Sequence, residues 1–435
     1  MTKEFETLGF YEPGFLHLRV NTDIDISDLN ELSRNKKTKK YFSTFLHEYI
    51  HFLQDITTTS GLMAANFYIE FIKDINWTIR HDGKAEFKVP VEITNTNNIK
   101  SNLKLREIYR GETKGSALLK YNRYTIEHPI IKDKNNKEIK PPKYKVHYYD
   151  LKTRKPKSLH FGFACLKEYM AHTIQKKYIP ETENSDIPYQ IAEQIVITEY
   201  PNFGNDSMLI VALCDASLMC FHPAQMFFNT IERMKKESFI PRSAIDIYNF
   251  AYKDISFKGE IGIETVESLF EKIVEQTDNH FSNALQSDYF LPNYKWLKHI
   301  LIEAKKLRLT NPSFITELIS RDRKISPKFY GIFKNLGTPF FTNKIDKGGF
   351  VPPHELKDKT LQPYQLLVFK QIINIFNGHQ NCSLYDFCKN RPDKDITNNL
   401  CKTAPWERAT EVNLCPFAQL WHTWGLTGEI PTKIQ

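Results

Sequence analysis

The sequence has no apolar run long enough to cross a bilayer. The longest, Met208 to Cys220, is interrupted by Asp215 and falls short of the roughly 20 residues that a spanning helix needs. The opening residues, Met1 to Glu6, carry no apolar core of the kind a secretory signal has. No two of the seven cysteines form a C-x-x-C pair, which sets aside a zinc ribbon. There is no internal repeat and no low-complexity tract. Nor is there a strong excess of one charge: 59 basic against 51 acidic side chains give +8. That permits acidic partners without demanding nucleic acid. Basic and aromatic residues are not interleaved as in known nucleic-acid motifs. The expectation is a cytoplasmic, reduced protein. Its richness in Lys, Asn and Ile suggests a bacterial source.

What is present is a globular composition, 41% hydrophobic and 13% aromatic over 435 residues, enough for two or three cores. Between Lys36 and Thr59 there is neither proline nor glycine. Phe42, Phe45, Leu46, Ile50 and Leu53 recur there at helical spacing. On such a helix His47 and His51 share one face. Two imidazoles so placed can hold one zinc ion, with Glu48 beside it as a general base. The bland alternative is a core helix carrying two unrelated histidines. The metzincin continuation is missing, because Gln54 and Thr57 stand where a glycine and a third histidine would be.

A third ligand must come from elsewhere, and two acids in apolar surroundings compete. Glu168 lies in a helix expected over Phe161–Lys177, flanked by Cys165, Leu166, Tyr169 and Ala171. Asp215 lies in the apolar run 208–220. A buried carboxylate needs a charge partner, so either acid can serve. Asp55, four residues after His51, reads either as a carboxylate orienting that imidazole or as a surface acid at a helix end.

The pattern His47-Glu48-x-x-His51, with a later helix carrying Glu168 and Ala171, resembles the gluzincin-type zinc metallopeptidases. The resemblance spans residues 36–60 and 160–178. It implies a mainly α (α+β) chain with a zincin-like helical core. It implies catalytic Zn²⁺ on His47, His51 and Glu168, with Glu48 activating the bound water. Tyr49, Tyr169 and His172 are then candidate donors to the oxyanion; Tyr169 and His172 join Glu48 in the expected catalytic set. The substrate class is a specific protein or peptide, since indiscriminate proteolysis in the cytosol would be toxic. The rival reading is a basic nucleic-acid- or protein-binding factor with a structural metal and no turnover.

Organisation along the chain follows hydrophobic period and punctuation. Short strands are expected near Phe5–Phe10 and Phe15–Val20, and a second helix from Leu62 to about Trp77. A β-rich insertion is expected over about 78–160, with strands at Phe87–Ile93 and Tyr144–Tyr149. Helices follow at Tyr189–Tyr200, Met208–Cys220 and Ala224 to about Lys236. This divides the chain into a catalytic domain, 1–240, and a helical C-terminal domain, 241–435. The last four cysteines, Cys382, Cys388, Cys401 and Cys415, crowd into 34 residues at spacings x5, x12 and x13. They fit a structural zinc site, an iron–sulfur cluster or four core thiols.

Overall fold

Alternating apolar positions around His47 produce the first long helix, α1, Lys39–Thr57, buried along most of its length. The computed structural model describes residues 8–434 apart from 13, 15, 27–28, 30–31, 33–36, 82–84, 93–96, 115–117, 134, 181–184, 259–261, 321, 323, 358, 360 and 391–394. Helix α1 stops where three threonines follow one another. The hydroxyls of Thr57 and Thr58 donate back to the carbonyls of Leu53 and Gln54, each at 2.6 Å. Thr58 itself is extended. Helix α2, Thr59–His81, then runs on, longer at both ends than its apolar register suggests.

Ahead of α1 lie two strands, β1 (Gly9–Glu12) and β2 (His17–Val20), paired antiparallel. Residues 5–7 of the expected first strand lie outside the described residues. After α2 come β3 (Glu86–Val89) and a helix, α3 (Asn97–Arg110). No helix is expected within the β-rich insertion, so α3 is an addition to it. Only Ile99 and Ile108 of its aliphatic residues are buried, so its apolar period is too thin to read. Most of the rest of the insertion is a meander of β4 (Leu119–Glu127), β5 (Lys143–Asp150) and β6 (Lys155–Phe161), of which β5 covers the expected strand Tyr144–Tyr149.

Helices then dominate. They are α4 (Phe163–Tyr178), α5 (Ile191–Glu199), α6 (Ser207–Leu218), α7 (Pro223–Glu237), α8 (Ala244–Tyr252), α9 (Val266–Ala284), α10 (Leu291–Thr310) and α11 (Pro327–Leu336). Strands β7 (Phe340–Thr342) and β8 (Gly348–Gly349) follow, then α12 (Leu367–Phe376), α13 (Pro416–Thr423) and β9 (Ile430–Lys433). The chain is thus mainly helical with some sheet. Among the described residues no helix is long and apolar enough to cross a membrane.

The two halves interlock. Strand β7 joins β2 in parallel, giving the sheet order β1-β2-β7-β8, and β9 pairs in parallel with β3. The buried apolar residues form one cluster from Leu16 to Leu426. Helix α1 has no basic residue in its last turn to meet its dipole. Arg308 of α10 supplies that charge: its Nε donates to the Thr57 carbonyl at 2.8 Å. The same guanidinium grips Asp215 of α6 at 2.5 and 3.1 Å.

Candidate metal centre

Helices α1 and α4 pack side by side, and the histidine face of one meets the acid face of the other. His47 Nε2 lies 3.3 Å and His51 Nε2 3.5 Å from one oxygen, Oε2 of Glu168. All three donor atoms lie within 4.8 Å of one another. The two imidazole rings meet edge to face, with centroids 4.9 Å apart. The histidine side chains are 9% and 12% exposed and Glu168 27%, so the group opens to solvent on the Glu168 side.

The outer ring nitrogens are also fixed. His51 Nδ1 meets Gln54 Oε1 at 2.8 Å, and His47 Nδ1 meets Gln175 Oε1 at 3.1 Å. The orientation of each carboxamide follows from its other end. Gln54 Nε2 donates to the Lys167 carbonyl at 3.1 Å. Gln175 Nε2 donates to the carbonyl and hydroxyl of Ser43 at 3.1 and 3.0 Å. Each Oε1 is therefore an acceptor and each Nδ1 donates to it, which leaves Nε2 of both rings facing Glu168 as the nitrogen that would ligate an ion. Gln54 follows His51 by three residues on α1 and Gln175 follows Glu168 by seven on α4, so each shares a helix face with one of the triad. Each glutamine also ties α1 to α4, so the tautomer and the helix spacing are set together.

Electrostatics separates the two glutamates. Burial pushes the Glu168 carboxyl up, but the imidazoles of His51 and His47 outweigh it and hold the group well below the usual carboxylate range. Glu48 behaves oppositely. Burial raises it to about 8, the His47 imidazole lowering it and the Glu168 charge adding to the rise. No described residue donates a hydrogen bond to Glu48. Strand β1 comes down beside it. A Cβ at Gly9 would stand 3.2 Å from Glu48 Oε1 and 2.7 Å from the Thr44 methyl, so only glycine lets the strand approach.

His172, one turn after Glu168 on α4, is buried. Burial, with the His47 and Lys176 charges added, lowers it to about 4, so its imidazole is neutral near pH 7. Its ring lies 5.3 Å from that of Tyr189, which in turn lies 6.1 Å from His47. Burial raises the Tyr189 hydroxyl, and the carboxylates of Glu168 and Glu48 raise it further. A cavity of about 450 Å³ adjoins these rings, lined also by Lys176, Glu193 and Ser207.

Four expectations are corrected. Asp215 is not a ligand candidate: it is fully buried against Arg308 and accepts from the Tyr248 hydroxyl at 2.6 Å. Asp55 does not orient His51. It pairs with Lys167, and Gln54 holds the imidazole instead. Tyr169 turns away from the triad, its hydroxyl donating to the Ser207 carbonyl at 3.4 Å. Tyr49 likewise donates elsewhere, to the Gly337 carbonyl at 2.9 Å. Tyr189, with its ring 6.1 Å from that of His47, stands beside the triad instead. No sequence period marks it, because it sits in a short turn, Asp186–Tyr189. Gln54 and Gln175 were within reach of the register argument, since a polar amide on the buried face of a metal helix asks for a partner.

No known family profile matches the chain, and searches of curated proteins and of solved structures return no match either.

Proposed function

We infer that the chain is a zinc-dependent peptidase acting on a specific protein or peptide. The observation that carries this reading is the convergence of two imidazole Nε2 atoms and a carboxylate with the outer imidazole nitrogens already anchored. Two neutral imidazoles and one carboxylate are the donor set of a catalytic rather than a closed structural zinc. His47, His51 and Glu168 would hold the ion, which supplies Lewis acidity and brings a bound water towards neutrality.

The chain's own groups fit the remaining tasks. Glu48 is desolvated, free of other partners and poised near neutrality, as a base that must take and return a proton should be. Tyr189 presents a hydroxyl that stays protonated beside the carboxylates, a donor for a developing oxyanion. Neutral His172 stands behind it. Among the described residues β1 pairs on one side alone, with β2. An extended peptide laid along its other side would pass Glu48 at Gly9, and strand addition is a common mode of peptide recognition.

The test is direct. Purified protein should carry one zinc that His47→Ala removes. Glu48→Gln should keep the zinc and lose hydrolysis of a peptide library. A zinc-free wild type, or unchanged hydrolysis in Glu48→Gln, would overturn the reading.

A further inference from the structure

The four C-terminal cysteines come from separate turns. Cys382 precedes a short helix containing Cys388 (Tyr385–Lys389), Cys401 lies in another (Leu400–Thr403), and Cys415 caps α13. All four are buried and none is in a disulfide. They converge nonetheless. The amide of Cys382 donates to the Cys401 carbonyl at 2.6 Å. Cys382 lies within electrostatic reach of Cys388, Cys401 and Cys415, and Cys415 within reach of Cys401.

The pocket is lined with donors aimed at sulfur. The Ala418 amide meets Cys415 Sγ at 3.5 Å, and Arg408 Nη1 meets Cys401 Sγ at 3.1 Å. Arg408 is buried, its other face held by Glu411 at 3.0 Å twice. Its guanidinium also faces Cys415. Four neutral thiols give such a cation little reason to be buried among them, whereas four thiolates do.

Spacing decides which ion the thiolates would serve. Zinc with bonds of 2.3 Å places its sulfurs roughly 3.8 Å apart. Among the described residues His47, His51 and Glu168 form the one group of three donors gathered as a single ion requires, and the four thiols form no such group. The thiols are thus arranged for something larger than one ion. We propose that Cys382, Cys388, Cys401 and Cys415 hold a [4Fe–4S] cluster, with Arg408 and the first amides of α13 donating to its sulfurs. Such a cluster carries four cysteine thiolates and a net negative charge. It would bind the C-terminal turns to α12 and α13.

The full chain, purified without oxygen, tests this. About four iron and four sulfide per chain are expected, as isolated or after addition of ferrous iron and sulfide. A visible thiolate-to-iron absorption should bleach with dithionite. Cys388→Ser and Cys415→Ser should lose iron and keep the zinc that His47→Ala removes, while Cys220→Ser, away from the pocket, keeps both. Arg408→Gln should retain the cluster at a more negative reduction potential, because a cation that favours the reduced form is gone. A second zinc that depends on the cysteines, or no iron after reconstitution of folded wild type, would overturn the assignment. An unchanged potential in iron-loaded Arg408→Gln would overturn the placement of the cluster against that residue.

Discussion

His47, His51 and Glu168 are carried by two long helices crosslinked at Gln54 and Gln175, whereas the four cysteines are carried by short turns with little periodicity of their own. In the first pocket the three donors stand within 4.8 Å on that scaffold. In the second, among the described residues, the thiols form no such group. A pre-set scaffold suits a site that must keep an open position for a substrate. An irregular one suits a site whose occupant holds the backbone together, since binding free energy is then folding free energy. On the two proposals made above, donor spacing and scaffold stiffness, more than donor identity, would separate a chemical site from a stapling one.

Four measurements would break or sharpen that contrast. The largest effect is expected for Glu48→Gln, which should lower kcat by about 10²–10⁴-fold, the range of general-base catalysis. Zinc and iron contents should not change; loss of either metal would make Glu48 structural. Next, Tyr189→Phe should cost up to about 10²–10³-fold in kcat with KM nearly constant, as removal of an oxyanion donor does. A change confined to KM would place Tyr189 in substrate binding instead. Gln175→Ala frees one imidazole and one helix tie, so zinc affinity should fall about 10–100-fold while iron in the cysteine pocket stays. Equal weakening of both metals would show that the pockets are not independent.

The smallest effect concerns pH and a residue remote from both pockets. His222 is buried, its Nε2 donating to the Pro142 carbonyl at 2.6 Å while its Nδ1 accepts from the Gln225 amide. Burial lowers its pKa, only partly offset by that carbonyl. The unfolded chain, with a histidine near 6.5, therefore takes up the proton first. Its contribution to stability is complete above about pH 6.5 and is lost as pH falls below that. His222→Gln should flatten this acid limb in denaturant melts between pH 7 and 5. A limb of unchanged slope would assign the loss to other groups.

The chemistry of the first pocket was largely legible. His47, His51 and Glu168 could be proposed together because helical period fixes which residues share a face, and because a buried acid asks for a partner. The same rule misled at Asp215. Its burial was readable, but its partner Arg308 lies on a helix far along the chain, and no local pattern pairs them. Tyr189 was invisible for a related reason: a residue in a four-residue turn has no face until the tertiary fold gives it one. Helix α3 escaped because so few of its residues are buried. For the cysteines, sequence supplied the donor set and left zinc and iron–sulfur both open.

Arg308 also decides how the protein can be divided. Every donor of the triad and both glutamines lie before residue 180, so a fragment ending in the loop before α10 would contain the whole site on paper. That fragment would leave the Thr57 carbonyl without its cation, Asp215 charged in an apolar interior, and β2 without the β7 partner. Removing one side of a buried ion pair alone costs about 3–5 kcal/mol, a large share of the 5–15 kcal/mol that holds a typical domain together. The half that carries the triad is consequently no cassette for transplantation. An engineer shortening this chain would have to redesign α6 first, replacing Asp215 with a neutral residue, before discarding the helix that answers it.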